Sequence, residues 1–252
     1  MYYSRRKALS QNFLHNRTLV HKLVRESSIG SQDHVIEIGP GKGIITEELA
    51  RVAGSVTAIE IDNALLPRLH NLFSSNNSVK IIHGDFLAYS LPKNPYKVFA
   101  NIPFSIEGKI IRKLLDAPLP PLDCYLVMRH DFASRFIPQQ KSTLLSISYA
   151  PWFVFEIVHY FKRTDYTPHA RMSTVLLRVK QKEDPLIPNN ERASFHTFIQ
   201  QGFANGKPVR HTLSTWFSRQ ELDTLANRLH FSPKQTPSNL CIAQWIELFK
   251  LL

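Results

Sequence analysis

Four short apolar stretches of this 252-residue chain each end in a residue suited to holding a nucleoside. The first, Val35-Ile36-Glu37-Ile38, runs into Gly39-Pro40-Gly41-Lys42-Gly43. Glycines permit a tight turn and let backbone approach a ligand closely. The G-x-G-x-G run differs from the G-x-G-x-x-G of dinucleotide enzymes, so the ligand need not carry a pyrophosphate. Seventeen residues beyond Gly43, Glu60 lies at the end of the stretch TAIEID. A carboxylate there can accept hydrogen bonds from both hydroxyls of a ribose. Asp85 ends KIIHGD, where it can accept from an adenine amino group, and Asn101 ends KVFAN.

Asn101 opens the turn Asn101-Ile102-Pro103-Phe104. Pro103 restricts Ile102 to an extended conformation and stiffens the turn. The Asn101 side-chain oxygen and the Ile102 carbonyl then form a pair of acceptors for an NH2 group. An exocyclic adenine nitrogen is a poor nucleophile, because its lone pair is delocalised into the ring. Two acceptors holding its hydrogens favour a more tetrahedral nitrogen, able to attack a methyl sulfonium in line. The required contributions are positioning and electrostatic preorganisation, without a covalent enzyme intermediate. Phe104 offers a flat face to a base lifted from its stack, a contact of ~1–3 kcal/mol.

These residues need a scaffold that brings strand ends to one rim. Apolar runs predict strands at His34–Ile38, Ser55–Ile61, Val79–His83, Tyr96–Ala100, Cys124–Met128, Phe153–Val158 and Thr174–Val179. Helical patterns fall at Arg17–Ser27, Ile44–Val52, Ala64–Phe73 and Glu107–Leu115. Such alternation implies a parallel sheet covered on both faces, with its ligand at the carboxyl ends of the strands. The stretch 182–190, KEDPLIPNN, reads as a linker. Beyond it Ala193–Phe203, Ser218–Arg228 and Leu240–Leu252 read as helices, the last with a broad apolar face. The expectation is an α/β catalytic domain over residues 1–180 and a small, mostly helical domain over 181–252.

Composition narrows the partners. The chain carries 31 Lys+Arg against 20 Asp+Glu, a net charge of +11. Residues from 181 onward hold eight basic and six acidic side chains, so the excess sits on the first 180. A basic surface attracts phosphate by counterion release. Cys124 and Cys241 are far apart, without CxxC spacing, which suggests neither zinc nor a disulfide framework and fits a reducing cytoplasm. None of the eleven histidines forms an H-x-x-x-H pair, so no metal is expected. No stretch approaches the ~20 apolar residues that cross a bilayer. The start, MYYSRRKALSQNF, lacks the apolar region of a secretory signal.

Taken together, five stretches resemble the Erm and KsgA group of ribosomal RNA adenine N6-methyltransferases. They are Ser10-Gln11-Asn12-Phe13-Leu14, Glu37-Ile38-Gly39-Pro40-Gly41-Lys42-Gly43, Glu60-Ile61-Asp62, Gly84-Asp85 and Asn101-Ile102-Pro103-Phe104, in the family's order and spacing. The resemblance implies a Rossmann-like class I methyltransferase sheet with a mostly helical C-terminal domain, and S-adenosylmethionine as cofactor. It further implies that Asn12 and Leu14 fold over the cofactor, and that Gly39 and Gly41 lie against its methionine part. Glu60 would hold the ribose and Asp85 the adenine, and Asn101 would bridge cofactor and target base. Phe104 would stack on the target adenine, with Tyr166 covering its other face. This chain departs from the family where Ala170 replaces a second proline after Pro168, and where Phe104 stands in place of a frequent Tyr.

Asn-Ile-Pro-Phe and the short C-terminal region look more like Erm enzymes. Those modify an adenine of 23S RNA, before full ribosome assembly, and so block macrolide, lincosamide and streptogramin B antibiotics. KsgA-type enzymes usually read Asn-Leu-Pro-Tyr and act on 16S RNA. The expected state is a cytoplasmic monomer without membrane contact, with Lys207, Arg210 and His211 touching RNA phosphate and Arg5, Arg6 and Lys7 on an arm near the RNA backbone. A KsgA-type dimethyltransferase and a non-catalytic RNA-binding module on the same scaffold are the competing readings.

Overall fold

The computed structural model describes residues 13–137 and 140–252. The chain divides into two compact units, residues up to 133 with 156–181, and residues 134–155 with 182–252.

In the first unit the elements are β1 (Phe13–Leu14), α1 (Arg17–Arg25), β2 (His34–Ile38), α2 (Ile44–Val52), β3 (Ser55–Glu60), α3 (Leu66–Leu72) and β4 (Val79–His83). They continue with β5 (Lys97–Asn101), α4 (Glu107–Leu115), β6 (Asp123–Arg129) and α5 (His130–Ala133). After an excursion into the second unit, which includes α6 (Leu144–Tyr149), come β7 (Phe153–Phe161), β8 (Tyr166–Thr167) and β9 (Thr174–Gln181). The division between the units falls within β7, after Phe155.

Seven strands form one sheet in the order β4-β3-β2-β5-β6-β9-β7. The pairs β4–β3, β3–β2, β2–β5 and β5–β6 are parallel. Their centres are continuous apolar runs, such as Val35, Ile36, Val98, Phe99, Leu126 and Val127, all buried, as strands covered on both faces require. Beyond this parallel part the sheet is mixed, because β9 runs antiparallel to β6. An apolar run reports burial and carries no information about strand direction.

The chain order places β2, β3 and β4 successively to one side, then returns β5 to the other side of β2. The switch point of the sheet therefore lies between β2 and β5, where open α/β sheets form their ligand crevice. A separate two-stranded ribbon pairs β1 with β8, matching Phe13 with Thr167 and Leu14 with Tyr166.

The second unit contains α6, α7 (Arg192–Gly202), α8 (Val209–Thr212), α9 (Arg219–Arg228) and α10 (Ile242–Phe249). Its core is aromatic: Trp152 packs edge-on to Phe195 at 5.7 Å, and Phe198 does the same to Trp245 at 5.7 Å. Residues 134–155, expected within the catalytic domain, belong here. Trp152 supplies a fully buried ring, His196 Nε2 bonds the Ser148 carbonyl at 2.9 Å, and the Ser142 N–H donates to the Ser238 carbonyl. Among the described residues no helix is long and apolar enough to cross a membrane.

Candidate active site

The carboxyl ends of five adjacent strands define one rim. Read across the sheet, they present Asp85 just past β4, Glu60 on β3, the glycine loop after β2, Asn101 on β5 and Arg129 on β6. Neighbouring strands lie ~4.8 Å apart, so Asp85 and Asn101 are separated by three strand spacings, about 14 Å.

The glycine loop sits between β2 and α2. Gly39, Gly41 and Gly43 all have positive φ, a conformation that side-chain-bearing residues rarely adopt. At Gly39 a Cβ would meet nothing within 4 Å, so open space borders the loop beside the switch point. At Gly41 a Cβ would lie 2.9 Å from the Phe13 ring, which rests across the loop. The Lys42 ammonium is 5.4 Å from the same ring. Phe13 of the N-terminal strand thus lies against the glycine loop. Leu14 is buried there beside Tyr166, while Asn12 falls outside the described residues.

Glu60 is 3% exposed, and its two oxygens accept from the Gly41 N–H at 3.0 Å and the Asp62 N–H at 2.8 Å. Burial pushes its carboxyl up, while these N–H groups pull it back. Each oxygen keeps a further lone pair, so the side chain braces the loop and can still accept from a ligand. Glu37, behind the loop, is buried with Oε2 lacking any hydrogen-bond partner. Burial pushes its carboxyl up to about 8, with the hydroxyl and N–H of Thr46 opposing. Asp85 is exposed, and its Oδ1 accepts from the Leu87 N–H at 2.8 Å.

Asn101 is half-buried at the last position of β5, opposite Val127. The Ile102 N–H donates to the Val127 carbonyl at 3.2 Å, and the Ile106 N–H donates to the Pro103 carbonyl at 3.1 Å. The turn is therefore closed at both ends by backbone bonds, with Ile102 buried and Phe104 half-exposed.

Two expectations are corrected. Tyr166 is 0% exposed, its hydroxyl bonds Thr174 Oγ1 at 2.9 Å, and its ring packs on Phe161 at 5.8 Å. It presents no free face to a base, since pairing with Leu14 and packing among apolar neighbours draw it into the core. Arg210 is ion-paired to Asp223 at 2.5 Å, and its N–H donates to the Pro233 carbonyl, so it serves the fold of the second unit. Lys207 and His211 are exposed. No group of three or more potential metal ligands occurs among the described residues.

Sequence reasoning missed two features. One is Asp165, buried, which accepts from Asn16 Nδ2 at 3.1 Å and from the Lys162 N–H at 2.8 Å, fastening the start of α1 to the β8 segment. The other is the buried Glu107, bound to Arg129. Neither has a local signature, because the partners are far apart along the chain.

Two carboxylates, a glycine loop and an amide follow one another along the strand ends on either side of the switch point, and the fold is a Rossmann-like scaffold of the methyltransferase type. Residues 3–252 match the family model described as ribosomal RNA adenine dimethylase, and the chain belongs to that family of ribosomal RNA adenine methyltransferases. It is 32% identical over 207 residues to an rRNA adenine N-6-methyltransferase of Corynebacterium diphtheriae, covering 81% of this chain and 79% of that protein. It is 31% identical over 212 residues to the ribosomal RNA small subunit methyltransferase A of Listeria monocytogenes, covering 79% and 72%. Its fold matches the 23S rRNA methyltransferase ErmE with a TM-score of 0.84 at 23% identity, over 95% of this chain and 98% of that one.

Proposed function

We propose that this enzyme transfers methyl groups from S-adenosylmethionine to N6 of an adenine in 23S ribosomal RNA, giving resistance to macrolide, lincosamide and streptogramin B antibiotics. The observation that carries the reading of the site is the switch point, with the open side of Gly39 after β2 and Asn101 at the end of the adjacent β5. The residues present fit the cofactor. Glu60 offers buried acceptors for ribose hydroxyls, Asp85 lies one strand further out for the adenine amine, and Gly39 leaves room for the amino acid part. The N-terminal strand that carries Leu14 would cover it, and Asn12 lies outside the described residues.

When bound, S-adenosylmethionine supplies an electrophilic methyl on a sulfonium. The protein's part is to hold the acceptor amine. Asn101 and the Ile102 carbonyl take its two hydrogens, Pro103 keeps them rigid, and Phe104 stacks on the base. Tyr166 supports this site from beneath through Leu14 and Thr174. Lys207 and His211 remain as phosphate contacts on the second unit, residues 182–252 with 134–155. The working form is a cytoplasmic monomer acting on RNA before the ribosome is fully assembled. An intact rim, from Asp85 to Phe104, argues against a non-catalytic RNA-binding role.

The 23S assignment rests on the Asn-Ile-Pro-Phe turn. The near-equal identity to a small-subunit methyltransferase keeps 16S RNA as the second reading. Expression in a macrolide-sensitive bacterium, with primer extension on both RNAs, separates them. Resistance with a new stop on 23S RNA is the expected outcome, and a signal confined to 16S RNA overturns it.

A further inference from the structure

Next to the Asn101 turn lies an ion pair that the proposed chemistry does not use. Glu107 is the first residue of α4, immediately after the turn, and is 2% exposed. Its Oε1 accepts from Arg129 at Nε, 2.7 Å, and Nη2, 2.6 Å, and its Oε2 accepts from the Arg129 backbone N–H at 3.2 Å. Arg129 is the last residue of β6, two beyond Val127, whose carbonyl holds the Ile102 N–H. The tip of β6 is itself paired with β9, Arg129 opposite Thr174. One rigid strand end therefore grips the turn twice, at Ile102 by backbone and at Glu107 by a fork of three donors.

We propose that Glu107 and Arg129 form a positioning pair that fixes where the Asn101 acceptor array stands, and so sets the rate of transfer. The proposal rests on the reading of Asn101 as the residue that holds the target amine. A buried ion pair contributes little net stability compared with an apolar pair of similar volume. What it adds is direction. Two guanidinium donors converge on Oε1 and the strand's backbone N–H holds Oε2, so both carboxylate oxygens are fixed in place. A misplacement of ~1 Å at a distance from the chemistry costs about a hundredfold in rate. Lysine would keep the charge of Arg129 while losing the planar fork.

The test is methyl transfer from labelled S-adenosylmethionine to unmodified ribosomal RNA by Arg129→Lys and by the cycle of Glu107→Gln, Arg129→Gln and the double variant Glu107→Gln/Arg129→Gln, with calorimetric cofactor titration and thermal melts. The expected result is a kcat lowered about ten- to hundredfold in each single variant, with RNA KM and cofactor Kd within about threefold. The double variant, in which two amides can bond again, recovers part of the loss. A pair that serves stability alone predicts lower melting temperatures with kcat intact, and that result overturns the proposal. So does a double variant whose loss is the product of the two single losses. Should Glu107→Gln not fold, Arg129→Lys carries the same comparison. Asn101→Ala separates the two levels. Normal turnover in Asn101→Ala overturns the reading of the turn, whereas an inactive Asn101→Ala beside fully active Arg129→Lys and Glu107→Gln overturns the positioning role alone.

Discussion

The two ends of the parallel sheet hold their charges differently. At the base, Asp123 is buried and accepts from Ser28 Oγ at 2.8 Å, Tyr125 Oη at 3.3 Å, and Arg178 Nε and Nη2 at 3.1 and 2.7 Å. Beside it the Lys97 ammonium donates to Asp33 and to the Ser28 carbonyl. At the rim, Glu60 takes only backbone N–H groups, Glu37 leaves Oε2 without a partner, and Asp85 spends one oxygen on a local turn. Buried polar groups are ordinarily satisfied. The base network follows that rule with side chains from four segments and closes the fold. At the rim, Glu60 and Asp85 keep acceptor lone pairs beyond those backbone bonds.

Three changes test this contrast. The largest effect belongs to the base. Asp123→Ala leaves Arg178 without its carboxylate, and breaking a buried pair costs about 3–5 kcal/mol. Urea denaturation should show that loss, while kcat of the folded protein stays at the parental value; a fall in kcat would erase the distinction between the two ends. Next, Asn101→Ala should lower kcat by about a hundredfold, roughly 2.7 kcal/mol. Its melting temperature should change little, as checked by calorimetry beside the transfer assay.

The smallest effect concerns Glu37. Because burial raises its carboxyl from 4.5 to about 8, the folded chain holds a proton there that the unfolded chain has released. That contribution is complete in acid and is lost as pH rises from 4.5 toward 8. Glu37→Gln should remove this slope and stabilise the ligand-free protein relative to the parent at pH 8, with little change at pH 4.5. Melts across that range provide the measurement, and parallel curves for the two proteins would contradict it.

Much of this was legible before the fold. The limits of β2, β4, α2 and α4 coincide with their sequence patterns, because burial periodicity and flanking turns are local. Glu60 and Asn101 stand at strand ends as their spacing implied. What the chain did not disclose depends on distant partners. Residues 134–155 join the second unit because Trp152 finds Phe195 and Lys182 finds Ala150. Arg210 reads as a phosphate ligand until Asp223 is seen beside it. Tyr166 reads as a stacking face until its pairing with Leu14 and its bond to Thr174 place it in the core.

The ribbon of β1 and β8 also dictates when the site is finished. Asn16 and Asp165, which fasten it, are separated by 149 positions. On a ribosome adding ~5–20 residues per second, roughly 7 to 30 s pass between their syntheses. Until the later segment emerges, Phe13 lacks the strand that pins it across Gly41. A nascent chain therefore acquires its rim strands first and the cover over its glycine loop last, so cofactor retention should arise only after most of the sheet has been translated.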